Sequence, residues 1–201
     1  MMLRRTVLGT LVVLAIGTNR PAIAEDYSLA PAEPVTIESS EYALAPAGTV
    51  VTWRDLITGK SLEERVEEAE GLMMRSRVGE RRSYAYLPDP WADNENTRQD
   101  DIKPLFPLAV GKTVTLSRHP EAGLAHDTVT VLRTETLTLP MGKVATYVIH
   151  TKSEIASENW VGEATFWYAP ELHWYVQMVI KGTDDDERAR QVIAIRKPGV
   201  E

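Results

Sequence analysis

The chain contains no cysteine. That excludes thiol catalysis, iron–sulfur clusters and cysteine zinc sites, and it leaves no disulfide to staple a fold. Long apolar runs are missing too. A spanning helix needs about 20 apolar residues. The Val7–Ile16 stretch offers ten, interrupted by Gly9 and Thr10. Positive charge is in the minority, with 22 Lys and Arg against 29 Asp and Glu for a formal net charge of −7. A negative surface repels phosphate backbones, and no basic stripe interleaved with aromatics appears. Nucleic acid is therefore not an expected partner, and a basic patch for anionic headgroups is disfavoured for the same reason. No G-x-S-x-G elbow and no phosphate-cradling glycine loop is present. No cofactor is expected.

What is present begins at the N-terminus. Arg4 and Arg5 precede the apolar core, and Ala22-Ile23-Ala24 places small residues where a signal peptidase reads. Acidic Glu25 follows. This is the order of a secretory signal, with cleavage expected after Ala24. The paired arginines hint at twin-arginine export, but Leu3 stands where a hydroxyl residue usually precedes the pair. The expectation is ordinary secretion to a periplasmic or secreted location, with no transmembrane anchor after cleavage. Removing 24 of the 201 residues leaves 177, enough for one domain with a core of its own. The signal holds three basic residues and no acid, so the formal charge moves from −7 to −10.

Three parts are read: a signal peptide over 1–24, an extended Pro- and Ala-rich leader over 25–47, and a β-rich domain over 48–201. The leader has the composition of a mobile segment. From Val50 the texture turns β-branched and aromatic. Residues 61–78 admit two readings. Ser61 with Glu64 resembles a capping box, and Leu62, Val66, Ala69 and Met73 fall near helical spacing. Alternatively Gly71 and Gly79 are turns between strands. The strand reading is preferred, with a short helix around 61–74 kept open. Residues 88–104 read as a long loop. Thr128–Leu139 and Val144–Thr151 flank a Pro140–Lys143 turn, and Gly162–Tyr168 and His173–Lys181 flank a turn at Pro170. On the last strand Trp174, Val176, Met178 and Ile180 alternate with Tyr175 and Gln177. Gln191–Lys197 closes the series. The fold expected is all-β: a single antiparallel sandwich, barrel or strongly curved sheet.

The ordered segments GTVVTWRD, TGK, LFPLAVGKTVTL, TETLTLPMGKVATYVI and FWYAPELHWYV resemble a family of exported bacterial β-rich domains of uncharacterised function. The resemblance runs from about Gly48 to Ile180. It implies the fold and lends no catalytic residue. Relatives often carry a cysteine pair in the later strands, which this chain lacks.

Several clusters carry side chains capable of chemistry. His119, Glu121, His126 and Asp127 match no metal-ligand spacing. The acids at 184–187, and those at 93–95 with Asp100 and Asp101, lack the alternation and central glycine of a calcium loop. No metal site is assigned. Glu154, Glu158, Glu163 and Glu171 offer carboxylate pairs without specificity. The aromatics are the stronger signal. Trp160, Phe166, Trp167, Tyr168, Trp174 and Tyr175 crowd one region and present rings to both sides of a strand. One side should be core, and the other, if open, would bind an apolar ligand; the alternative is that both sides are covered. The leading expectation is a non-enzymatic cell-envelope binding module for an apolar small molecule or a partner protein. An extracytoplasmic hydrolase with an unrecognised carboxylate or histidine site is the alternative, and a structural or assembly factor the third.

Overall fold

A computed structural model describes residues 27–41, 43–79, 81–86, 102–118, 124–182 and 187–199. The signal segment, the 88–101 stretch, His119, Glu121 and residues 184–186 lie outside the described residues.

In chain order the strands are β1 (Ala32–Pro34), β2 (Val50–Asp55), β3 (Ser61–Glu70), β4 (Met73–Val78), β5 (Arg81–Tyr86), β6 (Thr113–Arg118), β7 (Ala125–Leu139), β8 (Gly142–Ile155), β9 (Trp160–Ala169), β10 (Trp174–Gly182) and β11 (Arg188–Arg196). All join one antiparallel sheet. Ten follow the path β1-β7-β8-β9-β10-β11-β2-β3-β4-β5, and β6 pairs off it with β7. Thus β7 has β8 on one side, while β6 and β1 share its other side. The sheet does not close into a barrel.

It is nevertheless strongly curved. Adjacent strands lie about 4.8 Å apart, so in a flat sheet β7 and β11 would be separated by roughly 19 Å. Here they touch. Bulges bend the strands: Glu67, Leu132, Val176 and Ile193 are each the extra residue where the register shifts. An extra residue kinks its strand and increases local twist.

The helix held open around 61–74 does not form. Ser61–Glu70 and Met73–Val78 are paired strands, with Gly71 at φ 58° in the turn between them. Alternation explains why. Leu62, Glu64 and Val66 share one face, and Leu62 lies opposite Trp53 of β2. There the Trp53 indole N–H donates to Glu64 Oε2 at 2.9 Å, and the Ser76 hydroxyl donates to Glu64 Oε1. A helix would give up two ladders of hydrogen bonds, one to β2 and one to β4.

Both faces are covered. The described part of the leader is extended and wraps the β7 edge. The Ala30 N–H donates to Gln177 Oε1 at 3.0 Å on one face. β1 then pairs with Glu135–Leu137 at the edge. Beyond it Ser40 bridges to Leu108, and Ala43 meets the Tyr168 hydroxyl on the other face. One hydrophobic core includes Trp53, Phe166, Trp167, Trp174 and Tyr175; a second gathers Tyr147, Ile149 and Tyr168 with Ile102, Leu105 and Leu108.

Candidate functional site

The aromatic residues singled out in the sequence fall into four places. Phe166, Trp174 and Tyr175 are buried together. Tyr175 sits 5.3 Å from Phe166, 5.8 Å from Trp174 and 6.3 Å from Trp53, ring centre to ring centre, in tilted geometries. Such distances are typical of favourable aromatic packing. The bulge at Val176 makes this arrangement. It breaks the expected alternation, so Tyr175 shares a face with Met178 and Phe166 while Trp174 shares one with Gln177. Trp167 points to the opposite face, where its indole N–H donates to Glu135 Oε1. Tyr168 lies in the second core. Trp160 stands apart, half-buried at the start of β9.

Around Trp167 is a polar cluster under the leader. Arg133 Nε donates to Glu135 Oε2 at 2.8 Å, and Gln177 accepts from Ala30 and, at 3.4 Å, from Gln191. The void there measures about 10 Å³, the room of about one water, and holds no organic ligand. Tyr168 is similarly sealed. Its hydroxyl donates to the Ala43 carbonyl at 2.8 Å and accepts from the Ala43 N–H at 3.3 Å. Burial, only partly offset by that backbone bond, pushes the phenol up to about 12.

The titratable candidates do not converge. His126 is exposed and Asp127 buried, because neighbours on a strand face opposite ways. Glu154 pairs with Lys152 at 2.6 Å, and Glu163 lies 3.8 Å from His150. Burial holds the His150 ring below its ordinary pKa, against the opposing pull of Glu163. Glu187, at the end of the acidic run, accepts from the Tyr27 hydroxyl. Among the described residues no three His, Cys, Asp or Glu side chains are arranged to hold a metal ion.

A space large enough for a ligand lies elsewhere. A groove of about 590 Å³ opens where the β7–β8 turn, the β9–β10 turn and the end of β11 meet. Ligand pockets commonly span about 300–1,000 Å³. Met141, Val144, Leu172, Ile193 and Ile195 form its apolar floor, and Lys143, Glu171, Arg196 and Lys197 stand around it. Met141, Val144, Leu172 and Ile195 also pack on the first core, so the floor is the exposed margin of that core. Ile193, the extra residue of the β11 bulge, lines the groove with the residues that follow it, Ala194 to Lys197. None of the six aromatics predicted to bind lines it. Sequence reasoning missed the groove because its lining comes from three separate parts of the chain. The nearest signal was the cluster of cations at Lys143, Arg196 and Lys197.

No protein-family model matches this sequence, and no curated protein matches it. The fold defines the class: an open, curved, all-β sheet. Three solved structures share its chain course in part. A Bacteroides fragilis protein of YmcC-like fold, predicted to be exported, is 15% identical over 79% of this chain and 100% of its own, with a TM-score of 0.40. A predicted lipoprotein of Parabacteroides distasonis is 11% identical over 80% of this chain and 100% of its own, at 0.42. The hypothetical lipoprotein YmcC of Escherichia coli is 12% identical over 82% of this chain and 91% of its own, at 0.45.

Proposed function

We propose that the protein is an exported cell-envelope binding module without catalytic activity, working in the periplasm or outside the cell after cleavage at Ala24. One observation carries the binding reading: the groove of about 590 Å³ with an apolar floor. The aromatic residues serve it from behind. Trp174 and Tyr175 follow the turn that carries Leu172, and their packing fixes the position of that turn. A hydrolase would need titratable groups gathered around a reacting atom. Among the described residues Glu171 is the single carboxylate in the groove lining.

The test is to express the full chain with its leader in a bacterium, purify the protein from the periplasmic fraction, and compare native with denaturing mass spectrometry. The expected result is an N-terminus at Glu25 and a small molecule held natively and lost on denaturation. A bare protein that also fails to take up any apolar probe overturns the binding reading. Retention in the cytoplasm with residues 1–24 intact overturns the export reading.

A further inference from the structure

We infer that the groove takes a single-chain amphiphile with an anionic head, its acyl chain along the apolar floor and its head among Lys143, Arg196 and Lys197. The inference rests on the binding reading and deepens it by naming the ligand class.

The lining decides the class. Among the described residues it contains no aromatic side chain and no Ser, Thr, Asn or Gln. A sugar is held by aromatic stacking and by neutral hydrogen-bonding groups that fix its hydroxyls. This groove offers neither. What it offers is aliphatic surface and charge.

The charge is of one dominant sign. Among the described residues the lining holds three cations, Lys143, Arg196 and Lys197, and one acid, Glu171, with Glu33 beside Lys143 outside it. In a chain of net charge −7 that is a local reversal. The cations come from two walls, Lys143 from the start of β8 and the other two from the end of β11. Such an arrangement raises the local concentration of anions and orients them.

Two of the three cations are lightly engaged. Lys143 lies 3.2 Å from Glu33, but both side chains are well exposed, at 62% and 70%. An exposed pair of this kind is weak and screened by salt, so a ligand anion can displace Glu33. Arg196 is exposed. Its planar guanidinium suits a carboxylate or phosphate by two parallel hydrogen bonds. Lys197 is partly committed, because its ammonium donates to the Glu171 carbonyl at 3.3 Å. That bond ties the β9–β10 turn to the end of β11 and holds the groove's width.

The experiment measures displacement of a fluorescent fatty acid from the purified mature chain. The competitors are dodecanoate and dodecanol, both kept below their aggregation limits. The expected result is one saturable site that prefers dodecanoate over dodecanol by about ten-fold, as charge-assisted hydrogen bonds to a partly desolvated head imply. The double variant Lys143→Gln and Arg196→Gln, checked for unchanged unfolding, should lose that preference and keep dodecanol binding. Ile195→Asp should abolish both. Equal binding of acid and alcohol overturns this inference and leaves the binding reading standing. Binding of neither overturns both. Attachment to anionic vesicles without uptake of monomeric dodecanoate overturns the inference in favour of a membrane-surface role.

Discussion

Replacing Tyr168 with Phe asks whether the leader is part of the fold. The ring stays, so packing in the second core is unchanged. Only the hydroxyl goes. With it go a bond to the Ala43 carbonyl at 2.8 Å and one from the Ala43 N–H at 3.3 Å. A hydrogen bond contributes about 0.5–1.5 kcal/mol net, and a buried group left without a partner costs about 1–3 kcal/mol. Ala43 is only half-buried, so water can reach part of what is uncovered. The longer bond is also the weaker one. These considerations place the loss at about 1–2 kcal/mol. For a domain of this size each kcal/mol lowers Tm by about 2–4 °C, so a fall of about 2–8 °C is expected. The phenol ionises only near 12, so the effect should not vary between pH 5 and pH 9. Urea unfolding gives the energy, and amide hydrogen exchange at Ala43 reports the strap directly. A change under about 0.5 kcal/mol, with exchange at Ala43 unaltered, would refute the idea that this contact fastens the leader.

Three further outcomes are expected. Trp167→Phe removes the indole donor to buried Glu135 and should cost about 1–3 kcal/mol by urea unfolding, with the slope unchanged. Gly79→Ala should cost about 1–2 kcal/mol, because Gly79 sits at φ 59° and the added methyl meets nothing within 4 Å, so backbone strain acts alone. Glu64→Gln tests a pH dependence: burial holds this carboxyl above its ordinary value of 4.5, against hydrogen bonds from Ser76 and Trp53 and the nearby charge of Arg190. The folded state keeps the proton longer than the unfolded one, so stability is full below 4.5 and falls as pH rises above it. The variant should therefore gain in Tm relative to the native chain between pH 4 and pH 8, and a constant difference would sink the assignment.

Much of the architecture was legible because local signals and long-range pairing agree. The Pro140–Lys143 and Pro170 turns join paired strands, and Gly71 and Gly79 both sit at positive φ between strands. The helix alternative for 61–74 arose because Leu62, Val66, Ala69 and Met73 fit a period near four. The alternation of Leu62, Glu64 and Val66 was hidden because its middle member is an acid. Glu64 points inward and is held by Trp53 and Ser76, which no spacing rule anticipates. Bulges were illegible for a different reason. Whether Val176 or Ile193 is the extra residue depends on the partner strand's register, not on its own neighbours. The leader's composition reads as loose, yet Ala30 and Ala45 are buried. Small residues there let the backbone lie flush against the sheet, which composition alone scores as lack of a core.

These features bear on where a ligand can sit. An open curved sheet has two faces, and a binding protein of this shape would ordinarily use the concave one. Here the leader crosses one face at Ala30, turns around the β7 edge through β1 and crosses the other at Ala43, while residues 102–108 fill what remains near Tyr168. Coverage of both faces moves the aromatic cluster into the core and leaves the apolar margin at the end of the sheet. Among the described residues nothing fills the groove at that margin, where two tight turns and the end of β11 meet. Beyond Ile193, the extra residue of β11, the alternation resumes: Ala194 lies opposite Thr52 and Ile195 opposite Val51, so Ile195 packs on the first core and Ala194 faces the other way. The groove therefore sets the margin of the first core directly beside Arg196 and Lys197, with Lys143 supplied by β8. The inferred ligand is compatible with the negative chain on this ground: repulsion is set by the whole surface, and selection by three side chains at the groove.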